Sequence, residues 1–259
     1  MTRLFTHFGR LLAIGLLIAS GFAQADDWIT HYYEHPTPER FVAEVQKLRE
    51  AGSLAKPESA APVAAFLARV MATNPARVEG WLTQLNGLKG ADRDTLLYAA
   101  NLSGTPEALA YLRKQADARR YLQKQVDLRT VEPVDGAILD MLWGDFFASG
   151  DPTPIRRIVY ALNYEKYSGA LSRYETSKKT EQDREEANRE AAFEAARWSL
   201  ESNIQQHRRV GEIIEQVYWN EQITPSERLW LSAILAKNFP EKYEFSQVQS
   251  GEWAFRKRQ

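Results

Sequence analysis

Apolar residues recur along this chain at intervals of three and four, the spacing that lines one face of a helix. Phe41, Val42, Val45 and Leu48 form the first such run, between Thr37-Pro38 and Gly52. Thr37 suits an N-cap, Pro38 a first helical position and Gly52 a C-terminal stop. A second run opens at Pro62 and carries Phe66, Leu67, Val70 and Met71 to Asn74-Pro75. Val78, Trp81, Leu82 and Leu85 make a third, and Leu96, Leu97 and Ala100 a fourth. Past residue 180 the period returns through Phe193, Ala196, Leu200 and Ile204, then Val210, Ile213, Ile214 and Val217, then Leu229, Leu231, Ile234 and Leu235. No stretch alternates at period two over a strand length. The pattern predicts an all-α protein of about nine helices and no sheet.

Helix-start chemistry accompanies these runs. Thr-Pro pairs at 37–38, 105–106, 153–154 and 224–225 each precede an apolar run, and Thr180-Glu-Gln-Asp183 reads as a capping box. Residues 91–112 align without gaps on 137–158, with Ala, Asp, Leu, Ser, Gly and Pro coinciding. The unit is a helix, a Ser-Gly turn and a helix. Its offset lies in the range of HEAT and armadillo repeats, so the expected architecture is an array of stacked helical hairpins, solenoid-like in the style of HEAT and tetratricopeptide arrays. The polar stretch from Tyr164 to Lys179 is the best boundary, dividing an N-terminal helical-hairpin region (26–165) from a C-terminal helical region (166–259).

Composition changes the picture at the N-terminus. Residues 1–10 carry Arg3 and Arg10 and no acid, Leu11 to Phe22 are apolar, and Ala23-Gln24-Ala25 forms a small-x-small cleavage pattern. Residues 1–25 are therefore expected to be a cleaved secretory signal, with a periplasmic or secreted product and no stable membrane span. The chain has no cysteine. That excludes a lipid-anchored cysteine, a disulfide and thiol chemistry. Taking two arginines and no acid from 33 basic and 34 acidic residues leaves a net charge of −3, which argues against a nucleic-acid partner.

Candidate chemistry is sparse. His31-Tyr-Tyr-Glu34-His35 is an H-x-x-E-H string and resembles the zinc-binding string of the inverzincin metalloproteases. The resemblance implies a zinc-dependent hydrolase, with His31 and His35 as ligands, Glu34 as the base and a downstream acid, Glu107, as third ligand. Against it, Pro36 drives His35 out of helical geometry, and the resemblance covers five residues only. The competing reading is an N-terminal anchor, with Trp28 and Tyr32 on one face. His207 stands in the polar run Gln205 to Arg209 and reads as a solvated helix face. No G-x-S-x-G, P-loop or G-x-G-x-x-G occurs, and no cofactor is implied. The remaining feature is aromatic: Tyr218, Trp219, Trp253 and Phe255 fall near helix or chain ends, where rings are exposed and able to anchor a ligand. The expected function is a non-catalytic helical scaffold that binds a protein or peptide of the cell envelope, with a glycan-binding cell-wall accessory protein as a further alternative.

Overall fold

The computed structural model describes residues 26–124, 126–176, 180–247 and 253–258; the signal-like residues 1–25 lie outside them. Among the described residues the chain is mostly helical, with thirteen α-helices, two 3-10 segments and one two-stranded sheet. Contacts divide it into two compact units, one taking residues up to Val131 with Asp140–Pro154, the other Glu132–Leu139 with Ile155 onward. No helix among the described residues is long and apolar enough to cross a membrane.

In the first unit, α1 (Asp26–Thr30), a 3-10 turn (Pro38–Arg40), α2 (Phe41–Glu50), α3 (Pro57–Thr73), α4 (Pro75–Gln84), α5 (Gly90–Ser103), α6 (Pro106–Arg113) and α7 (Ala118–Tyr121) precede α8 (Gly136–Ser149), of which residues 140–149 belong here. The second unit holds α9 (Pro152–Tyr160) from Ile155, a 3-10 segment (Ala161–Tyr167), α10 (Ala170–Thr176), α11 (Glu181–Gln206), α12 (Arg208–Asn220), α13 (Pro225–Asn238), β1 (Tyr243–Gln247) and β2 (Trp253–Lys257).

Two expectations are corrected. The sheet is real, because Tyr243 and Phe245 alternate with Glu244 and Ser246, and Phe255 with Ala254 and Arg256; five residues suffice for a hairpin packed on helices. The helix number exceeds nine because α1, α7 and α10, of five, four and seven residues, are too short to show a period.

Helix starts follow local chemistry, with exceptions. Thr105 Oγ1 accepts from the Ala108 N–H at 3.2 Å, and Thr224 and Glu227 exchange capping bonds at 3.2 and 2.8 Å. Thr180 and Asp183 form the expected box. Thr37 makes no cap bond and instead accepts from the Trp28 indole N–H at 3.0 Å. Thr153-Pro154 lies inside α9, which Asp151 caps by accepting from the Thr153 N–H at 2.7 Å. Pro62 does not open α3 but sits a turn and a half inside it. The aligned stretches are both helix, left-handed glycine, helix, with φ of +65° at Gly104 and +62° at Gly150.

The core of the first unit is built on rings. Trp28 and Tyr32 pack edge-on to Phe66 at 5.0 and 5.4 Å, and Phe41 stacks on Trp81 at 4.2 Å. All five residues are buried. Helices α3 and α8 touch backbone to backbone: a Cβ on Gly144 would lie 2.2 Å from the Pro62 carbonyl oxygen and 3.1 Å from the Phe66 nitrogen. Two turns along α3, Arg69 clamps the buried Asp145 with two guanidinium nitrogens, Nη2 at 2.9 Å and Nε closer. Further on, α7 is tied to α5 by Tyr121, whose hydroxyl donates to Asp94 at 2.6 Å while the guanidinium groups of Arg93 and Arg120 lie 5.5 Å from its ring centre.

In the second unit the polar stretch after Leu162 is held against α11. Ala161, Leu162, Tyr164 and Ala170 are buried, and the Glu190 carboxylate accepts from the Gly169 and Leu171 N–H groups at 2.7 and 2.6 Å.

Two expectations of behaviour follow from this packing. Gly144→Ala must force α3 and α8 apart, and its urea unfolding free energy is expected to fall by about 3 kcal/mol or more, at the upper end of overpacking costs. Burial pushes the Tyr32 and Tyr121 hydroxyls up to about 12, the nearby Glu39 carboxylate adding to the effect at Tyr32 and the hydrogen bond to Asp94 at Tyr121. Unfolded tyrosine titrates near 10, so the folded state favours the neutral form. The stability this provides is complete below pH 10 and is lost between pH 10 and about 12. Chemical denaturation across that range, with tyrosinate absorbance read in parallel, checks it.

Candidate functional site

The H-x-x-E-H string folds as the continuation of α1. The Glu34 and His35 N–H groups donate to the His31 carbonyl at 3.1 and 3.4 Å, which winds residues 31–35 into a turn. The inside of that turn is Tyr32, 3% exposed, and the Tyr33 N–H donates to the Phe147 carbonyl at 3.1 Å. His31, Glu34 and His35 face outward and are exposed. Thr30 Oγ1 lies 3.0 Å from His31 Nδ1, and the Tyr33 hydroxyl donates to Glu34 at 2.8 Å. Glu107 stands in the first turn of α6 with one carboxylate oxygen enclosed and unbonded. Among the described residues no group of three or more His, Asp or Glu side chains converges closely enough to hold a metal, so His31, His35 and Glu107 do not form one. The string packs through Tyr32 and Tyr33, and His31, Glu34 and His35 are exposed.

His207 corrects another expectation. It is 2% exposed, because the chain turns extended between α11 and α12 (φ −128°, ψ 103°) and carries the ring inward. Beside it an open depression of about 540 Å³ is lined by Arg208, Glu212, Glu215, Phe239 and Lys242 among others. Its charges are internally matched, Arg208 on Glu212 at 2.8 Å and Lys242 on Glu215 at 3.4 Å.

The aromatic residues are different. Helix α12 buries Val210, Ile213, Ile214, Val217 and Tyr218 on one face. Trp219 stands about 100° further round the helix and leaves that face, so it is 43% exposed. The hairpin of β1 and β2 then lays an aromatic face against this end of the helix. Its register pairs Tyr243 with Lys257 and Phe245 with Phe255, which puts these four side chains on one side of the sheet. Phe255 lies 4.8 Å from Tyr218, 5.9 Å from Trp219 and 5.1 Å from Tyr243, centre to centre. Tyr218 meets Trp219 at 4.7 Å. Cations cover the rings: Lys257 Nζ is 4.8 Å from the Trp219 centre, and the Arg228 guanidinium carbon 5.2 Å from that of Tyr218. Beneath, the Tyr243 hydroxyl donates to Glu215 at 2.8 Å; burial raises its pKa and that hydrogen bond adds to it.

Three of the four aromatic residues read from the sequence thus meet in one cluster: Tyr218, Trp219 and Phe255. Trp253 is placed in β2 by its backbone, and its side chain lies outside the described residues. Sequence reasoning missed Tyr243, Arg228 and Lys257. The period-two pattern of YEFSQ and WAFRK, with Gly251 between them, is the signal that points to Tyr243 and Lys257. Chemically the cluster offers ring faces, phenol hydroxyls and positive charge. Compared with protein families, with curated proteins and with solved structures, the chain finds no match in any of the three.

Proposed function

We propose that this chain is an exported, non-catalytic helical protein that docks a protein or peptide of the cell envelope on the aromatic cluster of α12 and the C-terminal hairpin. The observation that carries this reading is Trp219. Among the described residues it is one of two large hydrophobic side chains that stay exposed, the other being Tyr160. It also stands in a pre-packed bed of rings, so a partner side chain meets a surface already ordered, and less conformational entropy is lost on binding. Rigid tryptophan and tyrosine side chains of this kind dominate binding energies at interfaces.

Two further features support it. Residues 1–25 carry the sequence pattern of an export signal. The helix–glycine–helix pairs around Gly104 and Gly150 share their turn geometry, and we read them as copies of one hairpin unit, the kind of unit from which binding arrays are stacked.

The test is crosslinking in the native cell envelope with wild type and Trp219→Ala compared side by side. Wild type is expected to capture one dominant, saturable partner. The variant is expected to capture it about tenfold less efficiently or worse, as loss of an interface hot spot does. Its melting temperature should stay within a few degrees, because the ring is half outside the fold. Equal capture by both proteins sinks the reading.

A further inference from the structure

The register of the hairpin fixes which main-chain groups of β2 point away from β1. The Arg258 N–H donates to the Lys242 carbonyl at 2.8 Å, and the register places residue 258 opposite 242. That pair is therefore a hydrogen-bonded one. Antiparallel ladders alternate, so 244/256 and 246/254 are hydrogen-bonded as well, while 243/257, 245/255 and 247/253 are not. The main-chain N–H and C=O of Trp253, Phe255 and Lys257 consequently point away from β1. Among the described residues nothing bonds to those of Phe255 and Lys257. Helix α13 packs on β1.

Charge says what fits there. Arg256 is paired with Glu244 at 3.1 Å and Lys242 with Glu215. Lys257 and Arg258 have no salt-bridge partner among the described residues, and Lys257 rests instead over Trp219. A second copy of this chain on the same edge would gather four such cations on one sheet, whose one described acid, Glu244, is already paired with Arg256. An acidic segment would neutralise them.

Resting on the reading that this surface docks a polypeptide, we propose that the partner presents an extended acidic segment that adds to β2 as a third strand. Its backbone bonds to the outward groups of Phe255 and Lys257, its apolar side chains lie on the Trp219 side of the sheet, and its carboxylates, on the opposite side, face Arg258. Main-chain bonds supply affinity and alternate side chains supply selectivity, as in other strand additions.

The probe is a labelled ten-residue peptide of alternating Glu and Val, titrated into the purified protein by fluorescence anisotropy. Saturable binding is expected, with the amide resonances of Phe255 and Lys257 shifting. Methylating alternate peptide nitrogens, or replacing Glu by Lys, should each weaken binding about tenfold or more. Lys257→Pro removes an outward N–H without touching the ladder and should weaken binding beyond Lys257→Ala, which removes charge alone. Equal binding of the methylated peptide overturns strand addition, as do binding of no peptide, self-association through β2, and recruitment by phosphatidylglycerol vesicles alone. If Trp219→Ala abolishes partner capture while methylation has no effect, docking stands and strand addition falls. If Trp219→Ala leaves capture intact, the docking site itself is wrong.

Discussion

With no cysteine anywhere in the chain, nothing covalent holds this protein together beyond its backbone. Cohesion must come from apolar burial, and aromatic rings bury more area per residue than any other side chain. Both units show the consequence. In the first, Trp28, Tyr32, Phe41, Phe66 and Trp81 join α1, α2, α3 and α4 in a sealed cluster. In the second, Tyr218, Tyr243 and Phe255 clamp the hairpin to the end of α12, and here the cluster is left open at Trp219. The first cluster is closed and the second open, and the proposed docking role rests on that difference.

The first unit also shows how a polar motif is absorbed by packing. The turn that places His31 and His35 outside is fixed by Tyr32 and Tyr33 inside, and Tyr33 lies against α8 near Gly150. Helix α8 is in turn positioned by Gly144, since only a residue without a Cβ allows the Pro62 carbonyl so near. The Arg69–Asp145 clamp then sets the crossing one residue further along α8, where a buried carboxylate would otherwise stand unpaired. The tyrosines of this string pack inward, and the helix they meet is placed by a glycine more than a hundred residues away.

In the second unit, burial and charge are divided between the two sides of the hairpin. One side carries Tyr243, Phe245, Phe255 and Lys257 toward the helix end, and the other carries Glu244, Ser246, Ala254 and Arg256. The Arg256–Glu244 pair neutralises that outer side and, with a further contribution from Arg258, holds the Glu244 carboxyl below its usual range. Lys257, over the exposed indole, has no acidic partner among the described residues. Apolar surface, positive charge and free main-chain groups coincide there, and the proposed role of this region in docking rests on that coincidence.

The sequence alone determined most of the helices, the caps at Thr105, Thr180 and Thr224 and the class of the fold, because helix formation depends on neighbours three and four positions apart. It also marked Tyr218, Trp219 and Phe255 as aromatic residues near chain or helix ends. It did not reveal the hairpin, since two five-residue alternations are too short to stand out and become strands only by pairing with each other and packing on α12. Nor did it show that His207 turns inward, which is decided by the extended break between two helices. The exposure of Trp219 beside buried Tyr218, the outward main-chain groups of Phe255 and Lys257 and the close approach at Gly144 were decided by tertiary structure alone. Each depends on which distant segment arrives at a given face, and local periodicity carries no record of that.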